Sequence, residues 1–260
     1  MNVVSRAETV ATAEWSDLLG ELDRWGDAGR LATFWWRDDD AEAMTPLLGR
    51  LLALAGPAPL ALAAIPARAS PDLEAALARF PRVAVLQHGW NHANHARTGK
   101  KSEFPAGRPS AEIARDLAAG RDRLKAIFDA RAVAVFVPPW NRVAPEFTSL
   151  LRATGFAALS VMAPRQGALV EAGLKAIDVH VDLVAWKRGR GFIGSRAALG
   201  GLVAELRARR RDSNGDMAPI GILTHHLVMD AAAAEFLGEL RKAIEGHRAA
   251  RWADIRELLQ

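Results

Sequence analysis

The sequence predicts an α/β barrel, closed or nearly so, built on a parallel sheet. Short apolar segments alternate with amphipathic ones along the 260-residue chain, as in a parallel sheet buried on both faces. A count of about seven or eight such short segments favours a barrel over an open doubly wound sheet. No G-x-G-x-x-G follows the first of them, which argues against a dinucleotide fold.

The elements follow in order. Trp15, Leu18, Leu19, Leu22 and Trp25 recur at helical spacing, so residues 12–28 read as an amphipathic helix. Leu31 to Trp36 is an apolar, aromatic-rich strand. Pro46 to Ala55 reads as helix and Pro59 to Ile65 as strand. Ser70 caps the next helix, with Pro71 in its first position, and Val83 to Leu86 is the third strand. Ala96 to Pro109 is a polar loop, after which Ser110 is expected to cap a helix reaching about Ala130. Ala132 to Val137 is a strand that ends in a Pro-Pro turn. Pro145 to Thr154 is helical, and Ala157–Val161 and Leu174–Val181 are strands. Ser195 is expected to cap a helix to about Arg210. A polar turn over Arg211–Asp216, the strand Ile220–Leu223, the helix Ala231–Glu245 and a short terminal helix complete the chain. No linker divides it. Residues 1–260 read as one domain, with residues 1–30 carrying a helix that precedes the barrel.

Composition narrows the chemistry. There are no cysteines, which removes disulfides, thiolate metal sites and a cysteine nucleophile. Any metal must rest on His, Asp and Glu. The net charge is +4, with a basic run at Arg207, Arg209, Arg210 and Arg211. At a helix C-terminus such a run suits the dipole, and no interleaved aromatics accompany it, so no nucleic-acid partner is expected. The N-terminal residues lack an apolar signal-peptide core, and the most apolar stretch, Leu47–Ile65, is broken by Arg50, Gly56, Pro57 and Pro59. The expectation is a cytoplasmic protein without a membrane partner.

Ionisable residues collect at the C-terminal ends of the strands, where parallel barrels build their sites. The first strand is followed by Arg37-Asp38-Asp39-Asp40. Three adjacent carboxylates repel one another, and a divalent cation would offset that, although Asp40 can also serve simply as a turn or helix cap. The third strand leads into His88, His92 and His95, three of the seven histidines within eight positions. The i, i+4 spacing of His88 and His92 puts two imidazoles on one side of a tight turn, at ligand distance from a common ion. His95 reads as a further ligand, a substrate contact or plain surface. Pro138, Pro139, Trp140, Asn141 and Arg142 follow the fourth strand. His180, Asp182 and Trp186 lie near the sixth, and Thr224, His225 and His226 close the seventh.

This set resembles the polysaccharide deacetylases of the NodB-homology type, carbohydrate esterase family four. The family's Thr-Phe-Asp-Asp-Gly is matched by Trp36-Arg37-Asp38-Asp39-Asp40, and its His-Ser/Thr-x-x-His by His88-Gly89-Trp90-Asn91-His92. Its Arg-x-Pro-x is matched by Val137-Pro138-Pro139-Trp140, its Asp/Trp pair by Asp182 and Trp186, and its Leu-x-His by Leu223-Thr224-His225. The resemblance implies a single distorted (β/α)7 barrel. It makes Asp38 the catalytic base, Asp39, His88 and His92 the metal ligands, and His225 the general acid. It departs at Val137, where the family has an arginine paired with the base. Arg37 or Arg142 is a candidate to supply that charge. It departs again at His226, where the family often has Asp and which is a second candidate acid.

The implied reaction is hydrolysis of an acyl group, N-acetyl first, from a sugar or glycoconjugate. A metal-activated water would attack, with an Asp base and a His acid. Pro139, Trp140, Asn141 and Trp90 would line the substrate or oxyanion site. A backbone N–H near Trp140 would be the donor, because Pro138 and Pro139 have none. Asp182 would orient His225, or else pair with Lys187 or Arg188. Zinc is the first expectation for two histidines and one aspartate, with cobalt, nickel or manganese also accommodated. The alternative is a catalytically impaired carbohydrate-binding or regulatory module that keeps barrel and metal, motivated by Val137.

Overall fold

The computed structural model describes residues 11–163, 173–212 and 217–260. Helix α1 (Trp15–Asp27) leads into β1 (Ala32–Ala41), α2 (Pro46–Ala55), β2 (Leu60–Ala64), α3 (Pro71–Leu77) and β3 (Val83–His88). Then come α4 (Ser110–Phe128), β4 (Ala132–Val137), α5 (Thr148–Ala153), β5 (Ala158–Leu159), β6 (Lys175–Ala176) and β7 (Val181–Asp182). The chain finishes with α6 (Ser195–Arg211), β8 (Ile220–Thr224), α7 (Ala231–Gly246), β9 (Ala250–Trp252) and α8 (Ile255–Leu258).

The strands run β6-β5-β4-β3-β2-β1-β8-β7, and β9 pairs with the start of β1. All named pairings are parallel. One stretch of chain closes the ring. Lys175 and Ala176 pair with β5, and Val179 bridges to Met162 on the β5 side. From His180 the backbone changes ladder, with His180 N–H donating to Gly221 O and Val181 paired with Ile222 of β8. Counting β6 and β7 as one interrupted strand, and leaving β9 outside the ring, gives the distorted (β/α)7 barrel. No helix of the described residues is long and apolar enough to cross a membrane.

Strand alternation sorts side chains into two layers. Trp35, Ala61, Ala63, Ala84, Leu86, Val135, Val137 and Leu223 pack together inside the ring. Phe34, Trp36, Leu62, Val83, Val85 and Ile222 face outward onto Leu18, Leu22, Leu48, Leu202 and Leu240 of the helices. Side chains that continue the inner layer toward the strand ends therefore point into the barrel mouth.

Several local expectations change. The first strand does not stop at Trp36 but runs to Ala41, because Arg37, Asp38 and Asp39 find buried partners that let charged residues stay in the ladder. Ser110 and Ser195 are first helical residues rather than caps, their caps being Pro109 and Gly194 without a side-chain bond. Ser70 does cap, accepting from Asp72 N–H. The short β9 is an addition to the expected elements. The turn expected over Arg211–Asp216 lies partly outside the described residues. The basic run is structural: Arg210 and Arg207 pair with the buried Glu21 of α1, and Arg209 with Glu205.

Candidate active site

The site is set by the parity of β1 and a kink at its end. Arg37 and Asp39 fall on the inner face with Trp35, whereas Asp38 falls on the outer face with Trp36. The register of β1 against β2 shifts between Asp38 and Ala41, and Asp40 has φ 71°. This left-handed residue makes a β-bulge that breaks the alternation and re-aims a side chain. Asp40 is thereby brought to the mouth beside Asp39 instead of continuing outward.

The group that could hold a metal ion keeps the expected His88 and His92 and takes Asp40 as its carboxylate. Ligand atoms of Asp40, His88 and His92 all lie within 4.8 Å of one another. The expected carboxylate, Asp39, is outside this group. Asp40 Oδ1 lies 3.3 Å from His88 Nε2 and 3.4 Å from His92 Nε2, and it accepts no hydrogen bond. His88 Nδ1–H donates to Val137 O at 3.0 Å. That tautomer leaves Nε2 with its lone pair toward the mouth, as metal-ligating histidines are usually held. Two imidazole nitrogens and a carboxylate oxygen, the last without a donor, fit a divalent cation. His92 has φ 58°, and its ring meets that of Trp140 at 4.4 Å, tilted by 56°. His95 is exposed, with its backbone tied to Ser102, and takes no part.

These groups perturb one another's protonation. Burial pushes the Asp40 carboxyl up, but His88, with His225 and His92, holds it well below the usual carboxylate range. Burial pushes His88 down, and the charges of Asp39 and Asp40 outweigh it, so the imidazole is raised. Burial and the neighbouring His88 lower His92.

Asp39 is held by Arg37. Arg37 Nε lies 2.9 Å from Oδ1, and Nη2 donates to Oδ2 at 3.0 Å. The guanidinium is fully buried and also donates to Ser160 O, Ser160 Oγ and Asn141 Oδ1. Of the two candidates for the missing third-motif arginine, Arg37 is thus the one that reaches a site carboxylate. Arg142 turns away, and its Nη1 donates to Lys101 O. Asn141 acts on the arginine through its side chain, a support within the protein.

Asp38, expected as the base, points out of the mouth. It accepts from Thr224 Oγ1 at 2.6 Å and lies 2.5 Å from His226 Nδ1, and both it and His226 are buried. Burial lowers His226, but the hydrogen bond to Asp38 outweighs this and raises it. His226 is thus engaged by the buried Asp38.

His225 faces the site instead. Its Nε2 is 3.9 Å from Asp39 Oδ2, and its buried Nδ1 is without a partner. The rings of Trp186 and His225 meet edge-to-face at 4.7 Å, and Trp186 Nε1–H donates to Asp182 Oδ2 at 2.7 Å. Asp182 is thereby tied to Trp186 rather than to Lys187 or Arg188. Burial raises the Asp182 carboxyl, with His225 opposing.

After the Pro-Pro turn, Trp140 and Asn141 both have φ 57°. The Asn141 and Arg142 N–H groups are used by Pro138 O and Pro139 O. Among the described residues no acceptor takes the Trp140 N–H.

Glu103 is a residue the sequence reading missed. Its side chain is buried, and Oε1 accepts from the N–H groups of Trp90 and Asn91 at 3.1 and 2.9 Å, clamping the turn between the two histidines. Burial raises its carboxyl, partly offset by those N–H groups. Gly89, with φ 63°, leaves the room for it: a Cβ there would run into Glu103 Oε2 and the Pro139 ring. Nothing local in the sequence marks Glu103. The only hint is a lone acid in an otherwise basic loop.

No protein-family profile and no curated protein sequence matches the chain. Solved structures do. A structure from Mycobacterium smegmatis assigned to the polysaccharide deacetylases is 16% identical, covering 96% of this chain and 92% of that one, with a TM-score of 0.59. A family 4 acetyl xylan esterase from Clostridium thermocellum, solved with a cobalt ion, is 14% identical over 87% of this chain and 89% of its own, at 0.52. A family 4 pseudoenzyme from Bacillus anthracis is also 14% identical, over 89% of this chain and 66% of its own, at 0.54. The fold is that of the carbohydrate esterase family four polysaccharide deacetylases, as the motif order anticipates.

Proposed function

We propose that the chain is a metal-dependent hydrolase that removes an acyl group, N-acetyl first, from a sugar or glycoconjugate. One observation carries the reading: Asp40, His88 and His92 meet at the mouth beside the Arg37–Asp39 pair and His225. In this reading Asp40, His88 and His92 hold the ion. When bound, such an ion supplies Lewis acidity and an activated water. Zinc remains the first expectation, and cobalt, nickel and manganese suit the same donors.

The protein's own groups supply the rest. Asp39 Oδ2 takes the proton of the attacking water, while Arg37 fixes the carboxylate and balances its charge. The free Trp140 N–H donates to the carbonyl oxygen as it gains charge. His225 gives a proton to the leaving nitrogen, steadied by Trp186 and, through it, by Asp182. Trp186 and Trp140 offer faces for a sugar ring. The family motif is thus read as Asp39-Asp40, one residue later than the expected Asp38-Asp39, with Ala41 in its glycine position.

Val137 motivates the alternative of a catalytically impaired carbohydrate-binding or regulatory module. Arg37 on Asp39 restores the charge that substitution removes, and supports the enzyme. The test is acetate release from N-acetylglucosamine oligomers by metal-loaded protein, with metal content measured alongside. Release that disappears in Asp39→Asn is expected. A metal-replete protein that releases no acyl group from any acylated sugar would overturn the proposal.

A further inference from the structure

The loops on either side of the mouth are strongly and one-sidedly charged. After β3 the chain from Ala93 to Pro109 carries Arg97, Lys100 and Lys101 exposed, and its one carboxylate, Glu103, is buried in the clamp. After β7 the chain from Leu183 to Gly194 carries Lys187, Arg188 and Arg190 exposed and no carboxylate at all. None of these six cations forms an ion pair among the described residues, in a chain where most other arginines do. A charged face that serves solubility alone mixes both signs.

Both loops are fastened to the site. Lys101 Nζ lies 6.0 Å from the Trp140 ring centre, and the Trp140 ring contacts that of His92. Arg142 Nη1 holds Lys101 O at 2.9 Å. On the other side Ala185 N–H donates to Gly191 O and Arg190 N–H to Ala185 O, which makes a tight turn presenting Lys187 and Arg188 directly after Trp186. Trp186 meets His225. In the sheet β3 and β7 are separated by β2, β1 and β8. The two clusters therefore flank the mouth from different sides, each beside an aromatic that lines it.

We infer that the substrate is an acidic oligosaccharide, with negative groups on both sides of the acylated sugar. This rests on the deacetylase reading of the mouth. A sugar carrying one terminal anion would engage one loop only. A chain with anions either side engages both, and the paired fields of like sign raise its local concentration. Carboxylate and phosphate share this chemistry.

The test uses Asp39→Asn protein, so that no turnover occurs, and reads binding by tryptophan fluorescence at low and at high salt. The probes are a hexasaccharide alternating uronic acid with N-acetylhexosamine, a neutral N-acetylglucosamine hexasaccharide, and N-acetylglucosamine 1-phosphate. The acidic hexasaccharide is expected to bind roughly tenfold more tightly than the neutral one, an advantage that shrinks with salt. Lys100→Glu/Lys101→Glu and Lys187→Glu/Arg188→Glu should each remove part of the acidic-to-neutral ratio. Equal binding of the two hexasaccharides, or a ratio indifferent to salt and to both double variants, overturns the inference. So does a ratio sensitive to one loop alone with the sugar phosphate binding as well as the acidic chain. Preference for the acidic hexasaccharide with no acetate released by metal-loaded wild type upholds the charge inference and removes the deacetylase reading instead.

Discussion

Arg37 and Asp39, two residues apart on one strand, form a buried two-point ion pair, 2.9 Å from Nε to Oδ1 and 3.0 Å from Nη2 to Oδ2. Adjacent inner positions on a strand are close enough for a long side chain to fold back on a short one. Arg37→Met is expected to leave Asp39 buried without a countercharge, at a cost of about 3–5 kcal/mol in stability. Urea denaturation measures it. A loss within experimental error would mean that the pair does not hold the mouth together.

Asp39 and Asp40 should separate in their effects. Asp40→Ala is expected to lose the bound metal on dialysis. Asp39→Asn should keep the metal and lose roughly 10²–10⁴-fold in kcat. Metal analysis with acetate-release kinetics on both proteins decides it. The reverse pattern, with metal lost in Asp39→Asn and kept in Asp40→Ala, would restore Asp38 as base and Asp39 as ligand.

The neighbouring histidines should also divide. His225→Ala is expected to lower kcat with little change in the unfolding midpoint. His226→Ala removes the partner of the buried Asp38 and should cost roughly 3–5 kcal/mol of stability. Thermal unfolding and kinetics on each variant separate the roles.

Gly89→Ala introduces a side chain where Glu103 and Pro139 leave no space, at a positive φ. The turn bearing His92 must shift, and metal affinity is expected to fall roughly 10–100-fold, as for other supports of ligand side chains. Competition with a chromophoric chelator reads it. Unchanged affinity would show that the Glu103 clamp does not position the ligands.

Glu21, buried between α1 and α6, gives a pH signature away from the site. Burial raises its carboxyl, but hydrogen bonds and charge from Arg210 and Arg24 outweigh that and hold it below its ordinary 4.5. Because the folded value is the lower one, its stabilisation is full above about pH 4.5 and is lost as pH falls through the folded value. Glu21→Gln should therefore cost roughly 1–2 kcal/mol at pH 7 and progressively less in acid. A deficit that grows toward low pH would reverse the assignment.

The barrel, the order of the motifs and the two histidines could be read from residue patterns. The apolar runs are short and regular, and the i, i+4 pair needs only local geometry. The carboxylates could not be placed, because a run of three aspartates has no periodicity of its own. Their facing follows from which of Trp35 and Trp36 lies inside the ring, and then from a bulge at Asp40 that alternation does not predict. The roles of Arg37 and Glu103 depend on contacts that the folded chain alone brings together: Arg37 with Ser160 and Asn141, and Glu103 with Trp90.

The segment Lys175–Asp182 binds one neighbour with its first half and the other with its second. Its ladder bonds are therefore divided between two flanks, with β5 on one side and β8 on the other. Amide exchange should accordingly be fastest along this seam and slowest in β1, β2 and β3, which are paired on both edges. Since Asp182 ends the seam and Trp186 follows it, loosening here would reach His225 before it reached the Asp40–His88–His92 group. The wall that carries Asp182 and Trp186 is thus built on a segment shared between two ladders, and the wall that carries His88 on a strand paired along both edges.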